Sequence, residues 1–160
     1  MASRLKQRSE PGPALRVLLR APIALYRARL GFVMGSRFLL LHHRGKKTGL
    51  PRRTVLEVVQ HDPHSGIYYV AVGFGPKSHW YQNLLAQPEV RIEVGLRSLD
   101  VRARELTQHE AADLMADYAR RHPVAARKLA QFMGFAADGT EADYRELPAL
   151  GLRFMALEPR

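Results

Sequence analysis

Among 160 residues the sequence has no cysteine. Disulfide frameworks, thiolate metal sites, cysteine nucleophiles and cysteine-held iron–sulfur clusters are therefore excluded. A long apolar run is also lacking. No stretch approaches the roughly 20 uninterrupted apolar residues of a membrane-spanning helix, and Arg16 and Arg20 break the segment 15–25 where a secretory signal would need its apolar core. Acids are scarce at one end: residues 1–53 hold 13 Lys and Arg against the single acid Glu10, while 54–160 hold 12 bases against 14 acids. The net charge of +10 is thus local. It implies an anionic partner near the first third of the chain: a phosphate-bearing ligand, nucleic acid or an anionic membrane surface. Walker and Gly-x-Gly-x-x-Gly spacings, a Gly-x-Ser-x-Gly elbow and a His-Glu-x-x-His helix are all absent, so nucleotide loops, hydrolase triads and zinc proteases have no local support.

What is present suits one folded domain. Hydrophobic residues make up 46% and charged residues 25%, ordinary globular values, and the length fits a single core. Residues 1–13, ending in Pro11-Gly12-Pro13, read as a disordered basic tail before a domain spanning 14–160. An N-terminal amphipathic helix is expected within 14–34: at 100° per residue Leu15, Leu18, Leu19, Pro22 and Tyr26 share an arc, and Arg16, Arg20 and Arg27 fall outside it. Short apolar runs at 38–42, 54–59 and 67–72 read as covered strands separated by turn-rich loops. A short helix follows from Ser78, and then strict alternation marks a hairpin. Val90, Ile92 and Val94 oppose Arg91 and Glu93, and Leu99, Val101 and Ala103 oppose Asp100 and Arg102. Thr107 and Glu110 have capping-box spacing ahead of a helix to about Arg121; helix 124–133 and a last strand at 152–157 complete the order. Strands joined by short turns imply an α+β fold whose mostly antiparallel sheet of about six strands curls into a small barrel flanked by helices.

Two clusters could carry chemistry. The loop 44–53 packs five bases, two glycines, a proline and Thr48 into ten residues, which reads either as a phosphate cradle or as a solvated basic hairpin. The segment Gly73-Phe74-Gly75-Pro76-Lys77-Ser78-His79-Trp80-Tyr81-Gln82-Asn83-Leu84 joins flexible glycines, a lysine and the only tryptophan to a helix start. Trp80, Tyr81 and Leu84 fit a packed face equally well. His42 and His43 alternate at a strand end, so one is expected inward and one outward in a structural role, and His61 and His64 read as surface turn residues rather than metal ligands. No metal site is expected, and no catalytic side chain is singled out.

Together these clusters resemble the deazaflavin-dependent nitroreductase family. The match is Gly45-Lys46-Lys47-Thr48-Gly49-Leu50-Pro51-Arg52 to its Gly-Arg-Lys-Ser/Thr-Gly-x-Pro-Arg loop, Trp80-Tyr81-Gln82-Asn83-Leu84 to its Trp-Tyr-x-Asn-Leu segment, and Pro88 to Gly95 to the strand that follows. The resemblance implies a split β-barrel of the FMN-binding split-barrel type and use of coenzyme F420, an 8-hydroxy-5-deazaflavin with a phosphodiester and an oligoglutamate tail. It implies that Gly45, Lys46, Lys47, Thr48, Arg52 and Arg53 meet the phosphate and tail, that Thr54, Val55, Leu56, Ala71, Val72, Gly73 and Phe74 border the ring, and that Lys77, Trp80, Tyr81 and Asn83 close the site. The implied activity is hydride transfer from the reduced deazaflavin to a small electrophilic acceptor of the quinone, enone or nitroaromatic class. The nitroreducing branch has a longer glycine-rich loop with a serine near the ring, whereas here Val72 to Lys77 is short and the first serine is Ser78, so a different acceptor pocket is expected.

Other readings stand beside this one. FMN or haem could occupy the same barrel, or the chain could be a non-catalytic carrier. The basic helix within 14–34 could lie on an anionic membrane surface, giving a cytoplasmic protein peripheral at the inner face. No specific nucleic-acid partner is expected, because no recognisable module accompanies the charge. Monomer and homodimer both remain open.

Overall fold

The structure, a computed structural model, describes residues 2–4, 37–73 and 75–160. The helix expected within 14–34, the tail expected at 1–13 except for residues 2–4, and Phe74 lie outside the described residues. In chain order the elements are β1 (Ser3–Arg4), β2 (Phe38–Arg44), β3 (Pro51–His61), β4 (Tyr68–Ala71), α1 (His79–Ala86), β5 (Glu89–Val94), β6 (Arg97–Glu105), α2 (Gln108–Arg121), α3 (Pro123–Phe132), β7 (Phe135–Ala136), α4 (Glu141–Glu146), a 3-10 turn at Leu147–Leu150, and β8 (Phe154–Pro159). Ser3 and Arg4, expected within a loose tail, pair antiparallel with Ala136 and Phe135, which takes up backbone groups at the short β7.

Six strands form a closed antiparallel barrel in the order β2-β3-β4-β8-β6-β5, with β5 returning to β2. This is the α+β barrel that the alternation implies. Inward positions follow the two-residue period: Leu39 and Leu41, Val70, Ile92, Val101 and Leu157 are all fully buried. Each such side chain contributes about 1.5–3 kcal/mol relative to an exposed one. Trp80, Tyr81 and Leu84 of α1 join the same interior cluster, so this helix closes one end of the barrel.

A second apolar layer lies outside the sheet. Ala111, Leu114, Met115, Tyr118 and Ala119 of α2 recur at helical spacing and pack with Val59, Ala71, Phe154 and Ala156 of the strands. The start of α2 is fixed by the expected capping box: Thr107 Oγ1 accepts from Glu110 N at 3.2 Å and Glu110 Oε2 accepts from Thr107 N at 2.8 Å. Arg104, hydrogen-bonded to the same carboxylate, is the main cause that pulls the Glu110 carboxyl down to about 2.

β3 departs from the sequence reading. It was expected at 54–59 and covered on both faces, yet it runs from Pro51 to His61 and its first three residues are exposed. Pro51, Arg52 and Arg53 continue the pairing with Arg44, His43 and His42, so the β2–β3 hairpin projects past the body of the barrel and its charged side chains stay in water. The last strand is shifted likewise, at 154–159 instead of 152–157, because Leu152 N returns to Leu147 O at the end of the 3-10 turn.

Candidate functional site

The projecting hairpin ends in a turn over residues 45–50. Gly45 N donates to Leu50 O at 2.9 Å, and Gly49 N donates to Gly45 O at 2.8 Å. Gly49 has φ of 69°, which suits glycine, and a Cβ on Gly45 would lie 2.5 Å from Thr48 Oγ1. The Thr48 hydroxyl oxygen is turned back onto the loop, where it accepts from Leu50 N at 3.3 Å; its own proton remains the group it can donate outward. Local chemistry thus sets the turn and leaves Lys46 and Lys47 exposed at its tip. Among the described residues no acid pairs with Lys46, Lys47, Arg52 or Arg53.

The hairpin and the tryptophan-bearing helix meet. Lys46 N donates to Asn83 Oδ1 at 2.7 Å, and the other end of the same amide, Nδ2, lies 2.9 Å from His43 Nδ1. His43 is 7% exposed. Burial, followed by the charges of Arg52, His42 and His79, pushes its imidazole down to about 4, so it is neutral near pH 7. Ser78 stands at the N-cap of α1, as expected, but its side chain makes no capping hydrogen bond. On the opposite side of α1, Tyr81 OH donates to Glu105 Oε1 at 2.7 Å and accepts from Arg153 Nη1 at 3.2 Å, while Arg153 also reaches Glu105 at 3.0 Å. Burial and the Glu105 carboxylate push the Tyr81 phenol up. The helix is therefore fixed to the barrel rim from both flanks.

Several residues expected to act together are separated by the pleat. Arg52 opposes His43 and so shares its inward face, whereas Arg53 opposes His42 on the outer face. There His42 Nε2 lies 2.7 Å from Glu93 Oε2. Thr54 and Leu56 oppose Leu41 and Leu39 and point inward, while Val55 opposes Leu40 and points out. Ala71 belongs to the outer helical layer and Val72 to the barrel interior. Thr54, Val55, Leu56 and Gly73 keep accessible surface, and Lys77 is exposed; Ala71, Val72, Trp80, Tyr81 and Asn83 are buried. Trp80, at 8% exposure, meets Tyr81 edge-on with ring centroids 6.5 Å apart.

Some residues escaped the sequence reading. Met133 and Phe132 flank Gly73, where a Cβ would sit 3.7 Å from Met133 Cε and 3.9 Å from Phe132 Cε1. Their apolar pairing at the end of a helix signals only a packed face. His43 reads from sequence as structural; nothing local points from it to a helix 40 positions later. Two grooves bounded by described residues lie elsewhere. One, of about 380 Å³, runs between Leu84, Leu85 and Pro88 of α1 and its exit and residues 102–105 of β6; the other, of about 310 Å³, lies along Gln60, Tyr69 and α2. Neither includes a residue of the hairpin turn.

The family model described as F420H(2)-dependent quinone reductase matches residues 18–130. An F420H(2)-dependent quinone reductase of Mycobacterium tuberculosis is 37% identical over 110 residues, covering 64% of this chain and 69% of that protein. A solved F420-H2 dependent reductase superposes with a TM-score of 0.50 at 24% identity, over 76% of this chain and 94% of that one. The heme storage protein HutZ of Vibrio cholerae superposes with a TM-score of 0.51 at 16% identity, over 85% and 90% of the two chains. These two likenesses concern the fold alone. A heme protein on the same barrel means that the architecture does not select the cofactor, and the site has to.

Proposed function

The chain belongs to the F420H(2)-dependent quinone reductase family, and from that premise we propose that its projecting hairpin and α1 hold coenzyme F420 for reduction of a small quinone-type acceptor. The observation that carries this reading is the set Lys46, Lys47 and Arg52, with which no acid pairs among the described residues, anchored to α1 through the Lys46–Asn83 hydrogen bond.

The donor set fits the molecule. A phosphodiester and an oligoglutamate tail need cations that are not already neutralised, and Lys46, Lys47 and Arg52, which pair with no carboxylate among the described residues, supply them. A planar ring needs apolar contact that is not fully buried; Thr54 and Leu56 on the inward face and Gly73, which lies beside Met133 and Phe132, offer it, whereas Val55 faces out. Lys77, exposed just before α1, adds one more cation to the edge of the site. Trp80 and Tyr81 act by holding the helix in place, since both are buried in the interior cluster. Arg53 is assigned the outer margin, with His42.

When bound, reduced F420 would supply the hydride that, together with a proton from solvent, converts a quinone to its hydroquinone. The chain's part is to bind the anionic tail, orient the apolar end and limit water at the ring. No described helix is long and apolar enough to cross a membrane.

The test is anaerobic turnover. Purified protein mixed with reduced F420 and a soluble naphthoquinone is expected to regenerate the fluorescence of oxidised F420 in proportion to enzyme. Absence of enzyme-dependent oxidation across several quinones, enones and nitroaromatics would refute the reading.

A further inference from the structure

The buried polar chain that joins His43 to the hairpin turn has a fixed direction. A backbone N–H can only donate, so the Asn83 atom 2.7 Å from Lys46 N is the carbonyl oxygen. That leaves the amide nitrogen of Asn83 against His43 Nδ1 at 2.9 Å. An amide nitrogen also only donates, so Nδ1 must present its lone pair and the ring proton must sit on Nε2. A protonated imidazole could not accept this bond. Arg52 of β3 and His79 of α1, with the adjacent His42 on the outer face, are the charges that act on His43, and all of them disfavour the charged ring.

We propose that His43 is a positioning residue for the anion-binding turn: as a neutral imidazole protonated on Nε2, it orients the Asn83 amide, which in turn holds Lys46 N and draws the turn 45–50 against α1. The proposal rests on the reading of this hairpin as the F420 site, but its structural half stands without any ligand. The turn has few other ties to the barrel body. Its remaining hydrogen bonds, from Gly45, Gly49, Leu50 and Arg44, stay within the hairpin. With the relay intact the lysines are presented in one arrangement. Without it the competent arrangement is only part of a population, and apparent affinity falls by that fraction.

The relay explains why Asn83 is buried rather than facing a ligand. Both ends of its amide are committed to protein, so its effect on cofactor binding passes through the turn. It also gives a role to His43 that its neighbour does not share. His42, one residue earlier, faces out to Glu93 and has no link to α1.

The experiment compares wild type with His43→Phe, which keeps a ring but no acceptor, and His43→Asn, whose Oδ1 can replace Nδ1. His42→Gln serves as the adjacent control. First, two-bond proton–nitrogen correlations on uniformly labelled wild-type protein without ligand are expected to show His43 protonated on Nε2. Amide hydrogen exchange at Lys46 should be slow in wild type, His43→Asn and His42→Gln, and markedly faster in His43→Phe. Second, F420 titrations should give a Kd about tenfold weaker for His43→Phe, the loss expected when one buried hydrogen-bond partner is removed. His43→Asn should recover most of it. The KM for F420 should rise with kcat and the acceptor KM within about twofold, and the salt dependence should be unchanged because every cation remains. A merely structural role would lower stability without that split. A proton on Nδ1 in wild type, a Lys46 amide that exchanges as fast in wild type as in His43→Phe, or equal weakening by both substitutions would overturn the proposal. Wild-type protein that binds no F420 would instead refute the functional reading, and the ligand-free tautomer and exchange measurements would still decide the relay. Should His43→Phe fail to fold, Asn83→Ala replaces it in both arms with the same expectations.

Discussion

The β2–β3 hairpin and the outer face of β5, β6 and β8 are both rich in arginine or lysine, yet they treat charge in opposite ways. On the outer face Arg91 meets Asp100 at 2.9 Å, Arg102 meets Glu89 at 3.4 Å, and Arg104 meets both Glu110 at 2.9 Å and Glu158 at 2.8 Å. At the hairpin, Lys46, Lys47, Arg52 and Arg53 face no acid among the described residues. Repulsion within such a group has to be offset by packing elsewhere, here by the interior of the barrel and by α1. Cations neutralised in place serve the sheet; on the proposed reading, the cations left unneutralised among the described residues are those that meet the anionic tail. Net charge alone cannot distinguish these cases, because both regions contribute bases to the same total.

The comparison breaks if the two regions respond alike to substitution. The largest effect is expected for Lys46→Ala, Lys47→Ala and Arg52→Ala combined: loss of three charge-assisted contacts should weaken F420 binding by more than about a hundredfold, measured by fluorescence titration. An equal loss from Arg91→Ala with Arg102→Ala would erase the distinction.

Next comes the pH response of His43. Its folded value of about 4 lies below the ordinary 6.5, so the stability attached to the neutral ring is complete above pH 6.5 and is lost as pH falls through 4. The full loss is about 3 kcal/mol. Urea denaturation between about pH 7 and about pH 4 should therefore lose this increment in wild type and not in His43→Asn. Parallel curves would remove the buried neutral histidine from the account.

A finer test uses two neighbours of identical chemistry. Arg52→Ala should weaken F420 binding about tenfold, whereas Arg53→Ala, on the outer face, should cost about twofold, because a remote exposed charge acts only through screened attraction. Reversal of that order would mean that the cofactor lies along the outer face. Smallest of all, Arg91→Ala should change stability by less than about 1 kcal/mol, since both it and Asp100 are more than half exposed. Thermal denaturation measures it.

Much of the barrel was legible from alternation. Val90, Ile92 and Val94 against Leu99, Val101 and Ala103 gave a hairpin whose register pairs Val90 with Val101 and Ile92 with Leu99. The candidate turn was legible as well, since glycine, threonine and clustered bases are local signals. What could not be read was the start of β3: Pro51, Arg52 and Arg53 carry no apolar alternation, and only pairing with β2 makes them strand. The face of each arginine followed from that pairing and was hidden with it. Trp80 and Tyr81 look alike in sequence as cofactor contacts or packing; the structure adds that both are buried in the interior cluster. The bond between Asn83 and His43 joins residues 40 apart, so no spacing rule could have announced it.

The most direct measurement is the Kd of oxidised F420 as a function of salt, for wild type and for Lys46→Ala with Lys47→Ala. The account predicts tight wild-type binding at low salt that weakens steeply as salt rises, with a lower and flatter affinity in the double variant. Wild-type protein that does not bind at low salt, or a double variant with the same affinity and the same salt slope as wild type, would contradict it.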